Sequence, residues 1–428
     1  MSLSVVEGFK YGLMGLPLAF VALPLYVMLP NHYARVFGVP LALLGTVLLG
    51  ARLFDAVIDP LLGRLSDHLF ARSRQAVLWV GAVASVVLFI AFALLFFPPV
   101  RSGSALLVWA TALLLVTYSA YSVLSITHQA WGAMLGNTPA LRSHVFAWRE
   151  GLGLVGVVLA AVVPVAMGLG ASVAVFGVAL LLGWLAWCRA PVPQLVQHDA
   201  KPADANPAGG THDLWAPLHH SPFRRLLGVF VLNGIASAVP ATLVLFYVQD
   251  RLQAPRSLEP VFLGSYFVCA ALSIPLWLQL VARIGLARTW GVGMLLAIVV
   301  FVWSALMGAG DVVAFIVVCA LSGVALGTDL ALPSAMLAGV IADAGHRRHV
   351  QGLYFGWWNM ATKLNLALAA GLALPLLALF GYSPGARDPD ATRALVVAYS
   401  LLPCVLKLMA ATALYWFIIR PQHAKEIP

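Results

Sequence analysis

Charged side chains are scarce in this sequence. Lys, Arg, Asp and Glu make up 10% of 428 residues, against 62% hydrophobic ones. Soluble globular chains carry about 25% charged residues, so an ordinary water-facing surface is excluded. Cysteine is scarcer still, and Cys188, Cys269, Cys319 and Cys404 share no metal-ligand or disulfide spacing. They read as small apolar side chains. The net charge of +9 comes without the clustered basic face of a nucleic-acid binder, so no nucleic-acid partner is expected. No nucleophile–base arrangement, metal motif or phosphate loop stands out. The chain is therefore not expected to be an enzyme or to hold an organic cofactor.

What the sequence has in abundance is long apolar runs. A membrane-spanning helix takes about 20 such residues, and the chain accommodates about twelve. They begin near Tyr11, Pro40, Val77, Ala105, Gly151 and Ser172, then near Leu226, Val261, Trp290, Val312, Gln351 and Ala394. Between the sixth and seventh lies a polar, Pro- and Asp-containing stretch that reads as a linker. The expected organisation is a bundle over 1–190, a linker over 191–223, a second bundle over 224–420 and a tail over 421–428. Arg64, Arg72, Arg74, Arg142, Arg149, Arg224, Arg225, Arg283, Arg288, Arg347, Arg348, Arg420 and Lys425 then fall on one side. The positive-inside rule makes that side the cytoplasm, with both termini there. MSLSVVEGFK precedes a first helix that lacks a small-residue cleavage site, so this helix is expected to be retained. The fold class predicted is an all-α multi-pass membrane protein with twelve transmembrane helices in two six-helix bundles, the plan of a major facilitator transporter.

One greasy segment carries charge. In RLFDAVIDP, Asp55 and Asp59 are four residues apart and lie on one helix face, with Arg52 close to it. An ionisable group at a helix centre costs about 2.5–3.5 kcal/mol on insertion scales. Two readings stand: an Arg52–Asp55 ion pair with Asp59 at a helix end, or two carboxylates that share a proton, a sodium ion or a basic side chain. Lys363 sits in a second apolar helix with no acid within a turn, and is expected to meet a carboxylate from another helix or a wet cavity.

YGLMGLPLAF, GARLFDAVIDPLLGRLSD, ITHQAWGAM with LRSHVFAWREGLGLVG, and LPSAMLAGVIAD with QGLYFGWWNMATKLNLALAAGL together resemble the glycoside-pentoside-hexuronide:cation symporters of the major facilitator superfamily. The resemblance covers most of the chain outside the linker and tail, and R-x-x-D-x-x-x-D-P-x-x-G is its most specific pattern. It implies that Asp55 and Asp59 bind the coupling cation, sodium or proton, and that Lys363 is the family's helix 11 lysine. Gly63 to Asp67 matches the opening of the loop signature whose acid locks the cytoplasmic gate, although ARSRQ replaces the usual glycine and basic pair. Arg142 and Arg149 are candidate partners for Asp67, and Arg149 with Glu150 reads as a cytoplasmic gating pair. Two positions depart from the family: its helix 1 acid is replaced by Ala19 and its helix 4 acid falls near Ser125.

For a substrate wall the sequence offers Tyr118, Tyr121, Ser125, Thr127, His128, Gln129 and Trp131 on the fourth helix, with Trp357, Trp358 and Asn359 on the eleventh. Aromatic faces beside hydrogen-bonding groups suit sugars and equally suit drug-like solutes, whereas a packed helix interface uses the same residues. Asp329 and Lys407 are intramembrane charges without a partner legible in the sequence. The function expected is cation-coupled symport of a small polar solute, a sugar or glycoside, by a monomer in a bacterial inner membrane. The alternatives are a transporter of lipids or amphiphiles on the same fold and a non-transporting sensor.

Overall fold

The computed structural model describes residues 3–100, 103–193, 213–344, 350–379, 382, 385 and 388–422. Most of the linker, the residues beyond 422, and Arg347 with Arg348 fall outside these. Among the described residues nine helices are long and apolar enough to cross a membrane. One of them, Pro139–Cys188, is two helices joined at Gly168, whose φ of 84° no ordinary side chain adopts comfortably. Two more long helices, Leu41–Arg72 and Gln351–Leu379, carry Asp55, Asp59 and Lys363.

Numbered along the chain, the helices are α1 (Val5–Ala34), α2 (Leu41–Arg72), α3 (Arg74–Phe96), α4 (Gly103–Ala133), α5 and α6 (within Pro139–Cys188), α7 (Ser221–Arg251), α8 (Glu259–Ile284), α9 (Leu286–Leu306), α10 (Val312–Asp343), α11 (Gln351–Leu379) and α12 (Thr392–Gln422). The expected all-α membrane architecture is thus present.

Local chemistry sets several boundaries that hydropathy alone misplaces. α1 starts at Val5, before Tyr11, because Ser4 and Glu7 form a reciprocal capping box. α5 starts at Pro139, well before Gly151, because the Thr138 hydroxyl accepts the Leu141 N–H at 3.2 Å. Ser73 ends α2 in an extended conformation and caps α3 through the Ala76 N–H.

The residues form two compact units. One is Met1–His219 with Ala338–Met360, the other His220–Leu337 with Ala361–Pro428. In the first, α1 runs along α5, and α4 packs against both α2 and α3. Its core includes Tyr11, Phe92, Tyr118, Trp131 and Trp187. The α1–α5 crossing is backbone-close: a Cβ at Gly156 would overlap the Leu16 carbonyl.

In the second unit α12 packs on α7 and α9, and the two charges that the sequence left alone find each other. Lys407 Nζ donates to Asp329 Oδ2 at 2.9 Å and to Ser237 Oγ at 3.1 Å. Asp329 Oδ1 accepts from Trp290 Nε1 at 2.8 Å and from Asn233 Nδ2 at 3.0 Å. One carboxylate thereby ties together α7, α9, α10 and α12.

Two outcomes follow for stability. Gly156→Leu is expected to force α1 from α5 at a cost of at least about 1–3 kcal/mol, lowering the melting temperature of the detergent-purified protein. Gly170→Ala, at a position with open space around it, leaves that temperature unchanged. Lys407→Met strands a buried carboxylate and is expected to cost about 3–5 kcal/mol, whereas Lys407→Met with Asp329→Asn removes both charges and recovers most of the melting temperature.

Candidate functional site

The acids of α2 are deeply buried: Asp55 is 2% and Asp59 0% exposed. Ser122 Oγ of α4 donates to Asp55 Oδ1 at 2.9 Å. Asp59 lies where α2 meets α11, since a Cβ at Gly356 would fall against the Asp59 carbonyl and Pro60 Cα. Arg52 is exposed, and its guanidinium lies 4.2 Å from the centre of the Tyr26 ring, a cation–π contact. Lys363, half-buried on α11, belongs to the second unit.

One turn along α4 from Ser122 is Ser125, and one turn further is Gln129. Their spacing of three and four puts all three on one helix face. Ser125 Oγ accepts from Gln129 Nε2 at 2.9 Å and from Arg149 Nη2 of α5 at 3.3 Å. Arg149 Nη1 is paired with Glu150 Oε1. Gln129 and Asn359 of α11 exchange amide hydrogen bonds at 3.3 and 3.4 Å. Tyr121, half-buried, lies within electrostatic reach of Arg149 and Asp55. A continuous polar chain thus runs from Glu150 through Arg149, Ser125 and Gln129 to Asn359, and its α4 members share a helix with Ser122, the donor to Asp55.

Two residues expected in the substrate wall, His128 and Trp131, are enclosed instead. His128 is 0% exposed, stacks on Tyr11 with ring centres 4.3 Å apart, and donates from Nε2 to the Tyr11 carbonyl at 2.9 Å. Tyr11 OH donates to the His128 carbonyl in return. These bonds hold α1 against α4 and leave the imidazole no open face. Trp131, also 0% exposed, donates to the Pro191 carbonyl. Trp358 is 3% exposed in the first unit, as Ser125 and Gln129 are at 2% and 5%. Trp357, its neighbour, donates to the Leu214 carbonyl at 2.8 Å and packs on Trp215, so it anchors the end of the linker.

Asp67 meets main chain and not arginine. Its Oδ1 accepts from Gly352 N at 2.6 Å and its Oδ2 from Leu353 N at 2.9 Å, which makes it a cap on the first turn of α11 supplied by another helix. Such a contact has no sequence signature, which is why Arg142 and Arg149 looked like the available partners. Gly63 and Gly352 allow it, because a Cβ on either would overlap the other's carbonyl. Arg142 donates instead to the Gly136 carbonyl at 3.0 Å, and Arg149 joins the polar chain on α4.

An apolar groove of about 360 Å³ lies between α3 and α4, lined by Val83, Val87, Val116, Val123 and one hydroxyl, Ser119. None of the acids lines it.

Known proteins resemble this chain over most of its length. The inner membrane symporter YicJ of Escherichia coli (strain K12) is 24% identical over 96% of this chain and 90% of its own length. The glucuronide carrier protein homolog of the same organism is 22% identical over 100% and 95%. Among solved structures, a bacterial homologue of the iron transporter ferroportin in an outward-facing state matches with a TM-score of 0.69 at 16% identity, covering 96% of this chain and 99% of that one. The E. coli fucose:proton symporter FucP matches with a TM-score of 0.67 at 13% identity over 96% and 99%. The major facilitator fold and the resemblance to the glycoside–cation symporters read from the motifs are thus borne out. A family model described as MFS/sugar transport protein matches residues 10–420, and the chain belongs to that family.

Proposed function

We propose that this protein is a cation-coupled symporter of a small polar solute of the sugar or glycoside class, working as a monomer by alternating access in a bacterial inner membrane with both termini cytoplasmic. The observation that carries the reading is the single face of α4 on which Ser122 holds Asp55 while Ser125 and Gln129 hold the Arg149 and Asn359 side chains. A cation site and a polar solute site share that helix. Membership of the sugar-transport family and the symporter names of the relatives support it.

In the cycle proposed, a proton or sodium ion neutralises the Asp55–Asp59 pair, which otherwise places two like charges one turn apart in a low-dielectric interior. Lys363 is assigned by resemblance to the same coupling step. The solute then enters the cavity beside Ser125, Gln129, Tyr121 and Asn359. Coupling requires that the doubly loaded state favour reorientation and the half-loaded state not, because a ligand that binds both orientations equally shifts nothing. Gly63, Asp67 and Gly352 act as the cytoplasmic gate, with α11 capped by Asp67 when closed. Arg142, whose guanidinium abuts Gly339 at the end of α10, braces the same region.

Two experiments test this. Proteoliposomes loaded under imposed sodium or proton gradients are expected to accumulate a labelled neutral sugar or glycoside from a panel, and Asp59→Asn is expected to abolish the gradient-driven accumulation. Unchanged accumulation in that variant removes the acid pair from the coupling step. For the gate, Asp67→Ala leaves two N–H groups uncapped, worth about 1–3 kcal/mol. Hydrogen exchange at Gly352 and Leu353 is expected to speed up by roughly 5- to 100-fold, and equal exchange in the two proteins would mean that the cap does not hold α11.

A further inference from the structure

Arg149 places a guanidinium inside the membrane-spanning core of the first unit, with its side chain 12% exposed. A lone arginine in such a place is a strong anion site, because its planar fork matches a carboxylate in two parallel hydrogen bonds. On that ground alone the cavity would select acidic sugars. Glu150 prevents this. Its carboxylate occupies Nη1, Ser125 occupies Nη2, and the pair carries no net charge.

The rest of the geometry says what a neutral pair can do. Glu150 is the more open partner, 22% exposed, and its second oxygen, Oε2, has no hydrogen bond among the described residues. Arg149 Nε is buried and likewise without a hydrogen-bond partner. The open Glu150 oxygen beside this ion pair is an acceptor for a solute hydroxyl, which donates to it. Ala19 of α1 is the side chain that faces Gly153, one turn beyond Glu150, and α4 presents Ser125; Tyr121 beside the pair is also within electrostatic reach of Asp55 and Asp59. A solute carboxylate brought here would meet the Glu150 charge head-on.

We infer that Glu150 sets the charge preference of the solute site: by neutralising Arg149 it makes the protein take uncharged polyhydroxy solutes and reject uronates. This rests on the proposed symport function and narrows it to neutral sugars and glycosides.

The test is competition in proteoliposomes of the full chain, with labelled neutral glycosides transported and uronates of matching stereochemistry as competitors. The wild type is expected to be blocked by unlabelled neutral glycoside and unaffected by uronate. Glu150→Gln releases the Arg149 charge, so uronates are expected to compete at least about ten-fold more strongly while the neutral glycoside weakens. Glu150→Asp, which keeps the charge, retains the wild-type preference. A gradient-driven wild type that prefers uronates overturns the inference, as does a folded Glu150→Gln variant with unaltered preference. Should Glu150→Gln fail to fold, the wild-type preference alone decides. If the wild type accumulates neither class under either gradient, the symport function itself fails, an outcome distinct from a wrong charge preference.

Discussion

A carboxylate inside a membrane must be neutralised, hydrogen-bonded or both, and the layout of this protein is organised by how each of its buried acids meets that demand. Asp329 is answered by a lysine and two neutral donors from three further helices. Asp67 is answered by the bare amides of a helix terminus. Glu150 is answered by its own neighbour, Arg149. Asp55 accepts from a serine hydroxyl. The differences are instructive. A carboxylate held by a tethered ammonium and satisfied on both oxygens is suited to permanence.

The helix that links several of these contacts is α4. Its Ser122, Ser125 and Gln129 stand on one face and address three different helices: α2 through Asp55, α5 through Arg149, and α11 through Asn359. Its opposite business is packing, where His128 and Trp131 are locked against α1 and the chain beyond α6.

Much of this was legible in the sequence. Hydropathy located the helices because a membrane imposes a length and composition that few other environments do, and the four-residue spacing of Asp55 and Asp59 put both acids on one face. The pairing of Asp329 with Lys407 was not legible, since it joins helices distant in sequence and depends on how α10 and α12 pack. Asp67 was read as a gate residue with arginine partners, yet its partners are main-chain N–H groups that every residue but proline carries. His128 and Trp131 were expected to line a cavity on their chemical type. Aromatic side chains that bond to backbone carbonyls look the same in a sequence as those that bond to a solute. Arg149 and Glu150 were read as gating charges from their place near a helix start, before the extra turns that Thr138 nucleates moved that start toward the solvent and left them deeper in α5.

The contact between Gly63 and Gly352 carries a last consequence. Where two main chains touch with no side chain between them, no rotamer change can loosen the joint. It separates only if a whole helix moves. The joint also accepts one amino acid out of twenty on either side, because any side chain at either position would meet the other's carbonyl.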